Sequence, residues 1–251
     1  MTRHIPEMRM FAGPHGSGKT TLNRTFPPTL LGVNIHPGEI LRSIAECGGT
    51  CDLTRYGVDA TLAEVVAFLK QWRFFEQSAL LDAAGALSVG NGILRFGSVQ
   101  VNANLASAVA IMLRHKLLEA RASFSFETVL SLPDTVQFLK HAQESEYRTY
   151  LYYVATEDPD INISRVRSRA IVDGHPVLED KIVIRYFLSL DLLKEAVRHS
   201  TRAYIFDNSE QLPVLVAEIS DGHRLSLTSA LTPRWFKKAY LDKSRSSDQM
   251  F

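Results

Sequence analysis

Apolar residues recur along this chain in two rhythms, one suited to strands and one to helices. Residues 8–12 form a short, mostly apolar run of strand length, and residues 20–26 follow as a helix stopped by Pro27-Pro28. Residues 30–35 read as a second strand and residues 39–47 as a second helix. Helical spacing returns over residues 62–69 and 72–81, where Trp72, Phe74 and Phe75 suit core packing, and the glycine-punctuated residues 88–97 suit a hairpin. Val101, Leu105, Val109, Met112, Leu113 and Leu117 place an amphipathic helix over residues 101–121. An alternating strand at 123–128, a helix at 134–144, a strand at 149–155 and a helix at 161–172 come next. Ile182, Tyr186, Leu190, Leu193 and Val197 then line one side of a long helix over 178–198, and residues 202–209 read as the last core strand, ending in a polar turn.

Strands alternating with helices predict an α/β fold, a parallel sheet flanked by helices. The expectation is one domain over residues 1–251 with a helical insertion at about 48–97 and a partly basic, mobile tail from about residue 240.

Between the first strand and helix lies Gly13-Pro14-His15-Gly16-Ser17-Gly18-Lys19-Thr20, followed by Thr21. It fits the phosphate-binding (Walker A) pattern G-x-x-x-x-G-K-[ST] in the strand–loop–helix setting that pattern requires. Glycines let backbone N–H groups turn inward around a phosphate, and the helix N-terminus adds the positive end of its dipole. In this reading Gly13 to Thr21 bind ATP, Lys19 reaches the β- and γ-phosphates, and the Thr20 hydroxyl ligates Mg²⁺.

Four further features fall where chemistry is expected. His36-Pro37-Gly38-Glu39-Ile40 is either a substrate-side loop, with His36 and Glu39 as its polar groups, or a connector that opens the next helix. Glu127 ends the strand Ser123-Phe124-Ser125-Phe126-Glu127-Thr128, where ligands of such sheets bind; it holds a substrate hydroxyl or a Mg²⁺-bound water, or else caps the helix begun by Pro133 and Asp134. Arg165 and Arg169 share one helix face and would suit the negative charge of a moving phosphoryl group, the alternative being a solvated basic face. Arg185 lies near the middle of the long helix.

Composition narrows the setting. With 28 Lys+Arg against 27 Asp+Glu the net charge is +1, which gives no global pull toward nucleic acid or a membrane. No run of about 18 apolar residues could span a bilayer and no N-terminal run suits a signal peptide, so a cytoplasmic protein is expected. Cys47 and Cys51 are the only cysteines and are expected as reduced thiols, with no neighbouring pair to complete a metal site.

Taken together these stretches resemble the zeta-toxin family of P-loop small-molecule kinases. The resemblance is carried by Phe11 to Thr21, Ser123 to Ser131, Asn162 to Arg169, Gly174-His175-Pro176-Val177, Lys181 to Leu190 and Ala203 to Ser209, which cover the nucleotide half and the C-terminal half up to about residue 210. It implies a nucleoside-monophosphate-kinase-like sheet, ATP with Mg²⁺, and transfer of the γ-phosphate to a small-metabolite hydroxyl, the 3′-hydroxyl of UDP-N-acetylglucosamine in the characterised members. It also implies an antitoxin partner. By position Lys19 and Thr20 hold phosphate and metal, Glu127 contacts the acceptor sugar, and Arg165, Arg169 and Arg185 match the arginine-rich lid region.

One position departs from the family. Its proposed general base is an aspartate in a loop of the form Asn-x-Asp-x-Ile, and aligned on Ile40 this chain places Gly38 there, with Glu39 adjacent. Two other outcomes are therefore kept open, an ATP-binding protein with weak or lost kinase activity and a nucleotide or polynucleotide kinase, the polynucleotide version disfavoured by the neutral charge balance.

Overall fold

The computed structural model describes residues 5–71, 85–173 and 178–244, those from 169 to 173 by backbone alone. In chain order the elements are β1 (Glu7–Ala12), α1 (Lys19–Asn23), α2 (Pro28–Leu31), β2 (Val33–Ile35), α3 (Pro37–Glu46), β3 (Thr50–Asp52), α4 (Leu62–Gln71), β4 (Ser88–Gly90), β5 (Ile93–Arg95), α5 (Ala103–Glu119), β6 (Phe124–Thr128), α6 (Pro133–Glu144), β7 (Arg148–Ala155), α7 (Pro159–Asp173), α8 (Glu179–Arg198), β8 (Arg202–Asp207), β9 (Val214–Ser220), β10 (Arg224–Leu227) and α9 (Arg234–Phe236), which runs on into a π-helical turn. A seven-stranded, mostly parallel sheet has the order β10-β9-β8-β7-β1-β6-β2. Backbone contacts gather the chain into two compact units, residues 1–30 with 126–251 and residues 31–125.

In the first unit β1 is a central strand, and Met8, Met10, Phe11 and Ala12 are fully buried, as a strand covered on both faces requires. It pairs in parallel with β7, and β7 pairs in parallel with β8, in a register that sets Ala12 opposite Tyr153 and Ala155 opposite Asp207. Ala12, Ala155 and Asp207 thus bring three strand ends to one edge of the sheet, where such folds bind ligands. α8 packs by the predicted stripe: Ile182, Tyr186, Leu193 and Val197 are buried, while the Tyr186 hydroxyl donates to Thr156 O at 2.6 Å.

The chain does not stop pairing at β8. β9 adds antiparallel to it and β10 antiparallel to β9, so residues 202–209 are not the last strand of the sheet. Val216, Ala217 and Ile219 are buried, and so are Trp235 and Phe236 beyond them. The Trp235 indole N–H donates to Asp207 Oδ1 at 2.7 Å, which ties the segment after β10 to the sheet. Residues 245–251 lie outside the described residues.

The second unit carries β2, shorter than the apolar run that announced it. Pro28 opens α2, where its missing N–H costs nothing, and Gly32 then turns the chain at φ 61° because a Cβ there would stand 2.2 Å from Ser123 O. The insertion holds α4 where the periodicity placed it, and the hairpin at 88–97 is β4 and β5 about a turn with Asn91 and Gly92 at φ 55° and 72°. β3, a strand not expected in the helical insertion, joins that hairpin in a three-stranded antiparallel sheet, order β3-β5-β4. The helix expected over 72–81, with Trp72, Phe74 and Phe75, lies outside the described residues. α5 begins at Asn102, whose side chain accepts from the N–H groups of Asn104 and Leu105, and buries Leu105, Val109, Met112, Leu113 and Leu117. Among the described residues no helix is long and apolar enough to cross a membrane. Cys47 and Cys51 are not bonded to one another.

Candidate active site

The loop after β1 is held by contacts that only glycine permits. Gly13, Gly16 and Gly18 have φ of 138°, 70° and 103°. A Cβ on Gly13 would lie 1.9 Å from Val154 O, on Gly16 2.7 Å from Asn162 O, and on Gly18 2.3 Å from Asn208 Nδ2. Gly18 in the left-handed region opens α1, so Lys19, Thr20 and Thr21 form its first turn.

A pocket of about 320 Å³ lies between this turn and α7, whose Ser164, Arg165 and Ser168 face it. Its chemistry suits a polyphosphate. Lys19 Nζ donates to Gly13 O at 2.8 Å and Pro14 O at 2.6 Å, folded back along the loop. The Ser17 hydroxyl is fully buried and has no hydrogen-bond partner among the described residues, an orphan that an oxyanion in the loop could satisfy. The Thr20 hydroxyl donates to Glu127 Oε2 at 2.7 Å, so the carboxylate at the end of β6 and the threonine expected to bind metal meet although 107 residues separate them. Glu127 does not cap α6, whose N-cap is Leu132.

His15 and Arg185 also meet, with His15 Nε2 3.0 Å from Arg185 Nη1. A guanidinium only donates, so the imidazole is neutral with its proton on Nδ1. Burial first, then the charges of Lys19 and Arg185, lower its pKa from the ordinary 6.5 to about 4. An unfolded chain would take up this proton near pH 6.5, whereas the folded one resists it until about pH 4. The stabilisation is therefore complete above pH 6.5 and drains away as pH falls toward 4. Replacing His15 by Gln, which keeps an acceptor without a titrating ring, should flatten the fall in denaturant-measured stability between those pH values by up to about 3 kcal/mol. Parallel curves for the two proteins would contradict a neutral, buried His15.

Arg165 is turned to the protein as well as to the pocket, Nη1 donating to Asn208 O at 2.8 Å and Nη2 to Glu210 O at 2.9 Å. Arg167, on another face of α7, pairs with Glu179. The Arg169 side chain lies outside the described residues. In the second unit, His36 is the N-cap of α3, its Nδ1 accepting from Glu39 N at 3.3 Å with Pro37 in the first turn. The segment thus opens a helix, and Gly38 and Glu39 are exposed in its first turn.

Two contributors lie within the resembling stretches but are not named as site residues from the sequence. Asn162 Nδ2 donates to His15 O at 2.5 Å, and Asn208 Nδ2 donates to Ser17 O at 2.8 Å. Asn208 follows the last parallel strand and Asn162 lies in the first turn of α7, so both reach the loop only once the sheet is assembled.

The order of the parallel core, the glycine-gripped loop after β1 and the acid at the end of β6 decide the architecture. The fold is a P-loop fold, a mostly parallel sheet flanked by helices. The PezAT chromosomal toxin–antitoxin system of Streptococcus pneumoniae is similar in structure with a TM-score of 0.51 at 13% identity, covering 99% of this chain and 87% of that chain. The complex AvrRxo1-ORF1:AvrRxo1-ORF2 with sulphate ions has a TM-score of 0.52 at 13% identity, covering 90% of this chain and 62% of that one. No family model matches the sequence. An uncharacterized protein of Haemophilus influenzae (strain ATCC 51907 / DSM 11121 / KW20 / Rd) is 31% identical over 77 residues, which are 31% of this chain and 55% of that protein, so the match spans about half the relative's length. The pocket beside Lys19 is lined by Gly16, Gly18, Thr20 and Thr21 of the loop and its helix, and Glu127 reaches that helix through Thr20.

Proposed function

We propose that the protein is an ATP- and Mg²⁺-dependent phosphotransferase that moves a γ-phosphate to a hydroxyl of a small metabolite, with the 3′-hydroxyl of UDP-N-acetylglucosamine as the acceptor and an antitoxin protein as its restraint. The observation that carries this reading is the 2.7 Å contact between Thr20 Oγ1 and Glu127 Oε2, which joins the phosphate loop to a carboxylate in the manner a metal-assisted transfer needs. When bound, ATP would supply the phosphoryl group and Mg²⁺ would neutralise charge on it. Lys19 would hold the β- and γ-phosphate oxygens, the Thr20 hydroxyl would be a metal ligand, and the loop N–H groups with the Ser17 hydroxyl would surround the β-phosphate. Glu127 would accept a hydrogen bond from the acceptor hydroxyl or from a metal-bound water. Arg185, steered by His15, and Arg165 and Arg169 on α7 would offset the charge that develops on the transferred group. Both similar structures are two-component systems, one named as toxin and antitoxin, which supports a protein partner.

Mass spectrometry of products after incubation with ATP, Mg²⁺ and a pool of UDP-sugars and nucleoside monophosphates tests the proposal. A mass gain of one phosphate on UDP-N-acetylglucosamine is the expected result. Gain on a nucleoside monophosphate instead would redirect the acceptor to nucleotides, and no gain on any hydroxyl compound despite ATP binding would end the kinase reading.

Gly38 favours a slow enzyme as the second reading. It lies in the first turn of α3 without positive φ, and a Cβ there would meet only the His36 ring, at 3.1 Å. An aspartate is sterically accessible, at the cost of a small shift of that ring. Gly38→Asp is expected to raise turnover about 100-fold, the lower end of what a general base contributes. An unchanged rate in that variant would show that this position does not serve as the base.

A further inference from the structure

Five carbonyls of the phosphate loop and its exit each have a donor. Lys19 Nζ serves Gly13 O and Pro14 O, Asn162 Nδ2 serves His15 O, Asn208 Nδ2 serves Ser17 O, and Leu22 N serves Gly18 O at 3.0 Å. A trans peptide unit points its C=O and the following N–H in opposite directions. Holding His15 O and Ser17 O against the protein therefore turns the N–H groups of Gly16 and Gly18 the other way, and both glycines line the pocket.

The donors differ in permanence. Lys19 is the group a polyphosphate would draw away, whereas the two asparagines are uncharged, Asn162 0% and Asn208 9% exposed. The Asn162 amide is fixed in orientation, because its Oδ1 accepts from the Thr156 hydroxyl and only Nδ2 can serve a carbonyl. Asn208 is anchored through its backbone, N–H donating to Ala155 O at 2.8 Å and C=O accepting from Arg165 at 2.8 Å. Its approach is also why position 18 has no room for a Cβ.

We propose that Asn162 and Asn208 are positioning residues that clamp the phosphate loop in its anion-binding shape before any ligand arrives, aiming the Gly16 and Gly18 amides at an incoming diphosphate or triphosphate group. The proposal rests on the nucleotide reading above, and one arm of its test needs no nucleotide. That arm is ¹⁵N relaxation of Gly13, Gly16 and Gly18 in the ligand-free protein, for wild type, Asn208→Asp and Asn162→Asp, with the milder Asn208→Ser and Asn162→Ser as partners where the acidic variants fold poorly. The wild-type loop should have order parameters near those of rigid backbone, about 0.85, and the variants should fall toward about 0.6 at these glycines while β1 and β7 stay unchanged. The second arm is calorimetric titration with ADP and Mg²⁺, where losing one clamp should weaken affinity about tenfold, the worth of one buried hydrogen bond to a polar group.

Unchanged order parameters would overturn the proposal, and so would a mobile loop that binds ADP as well as before. A drop spread evenly over the sheet would overturn it too, by showing a general loss of structure. Loop loosening in the variants, with no ADP binding even by wild type, would retire the nucleotide reading and leave the clamp standing.

Discussion

Lys19→Ala is expected to lower phosphoryl transfer by about 10³-fold or more while the protein stays folded. In the ligand-free protein the ammonium group makes two hydrogen bonds to carbonyls of its own loop, at 2.8 and 2.6 Å. These stabilise the fold by about 1 kcal/mol each, small beside the roughly 5–15 kcal/mol of a typical domain, and Asn162 and Asn208 still hold the neighbouring carbonyls. The chemistry has no such reserve. Lys19 lines the pocket together with Arg165, and in the proposed mechanism its point charge would act on the β- and γ-phosphates most strongly where charge builds in the transition state. Lys19→Arg should not rescue, because a planar fork cannot lie along the loop as an ammonium does. A spectroscopic signature accompanies the loss: Lys19 is one of two cations that lower the His15 pKa, so the His15 titration, followed by NMR, should move up from about 4 in the variant. Retained turnover in a folded Lys19→Ala protein would remove the phosphate loop from the mechanism.

Much of this architecture was legible because periodicity reports burial directly. The 123–128 alternation became β6, the stripe from Leu105 to Leu117 became the buried side of α5, and the loop pattern announced both its strand and its helix. What escaped was short or non-local. β3 is three residues long, too brief for a rhythm to register, and β9 and β10 follow a polar turn that looked like the end of the fold. The apolar run 30–35 misled for a local reason, since Pro28 nucleates a turn of helix and Gly32 breaks the chain before the strand can start.

The site divides in the same way. Lys19, Thr20 and Glu127 could be named from the sequence because a motif or a strand end marks them, but only the fold brings Thr20 and Glu127 to 2.7 Å. Asn162 and Asn208 reach loop residues 147 and 191 positions away, and a lone asparagine in a helix start or turn has many ordinary uses. Arg165 was legible as a cation, not as the donor that ties α7 to the segment after β8. Its role is therefore double: it presents charge at the pocket and fixes the carbonyl side of Asn208, whose amide supports the phosphate loop.

Glu127→Gln is the substitution with the next largest expected effect, about 10³-fold on turnover with little change in stability. The glutamine is isosteric and its amide oxygen can still accept from the Thr20 hydroxyl, so the contact at 2.7 Å survives in form. What disappears is the negative charge, and the two roles open to Glu127 answer that loss differently. If the carboxylate orders a metal-bound water, the variant needs more Mg²⁺ for half-maximal rate, because a charge near the Thr20 hydroxyl no longer favours the cation, while the acceptor KM is little changed. If it takes the hydrogen bond of the acceptor hydroxyl, kcat falls and the acceptor KM rises with the Mg²⁺ requirement unaltered. Glu127→Asp sharpens the choice: shortening the side chain withdraws the carboxylate from Thr20 but keeps its charge, so it should retain metal dependence near wild type and lose positioning. Nucleotide affinity measured with ADP should be close to wild type in both variants, since the loop and Lys19 are untouched. A Glu127→Gln enzyme with full turnover would separate the Thr20–Glu127 contact from catalysis and leave it a structural tie between β6 and α1.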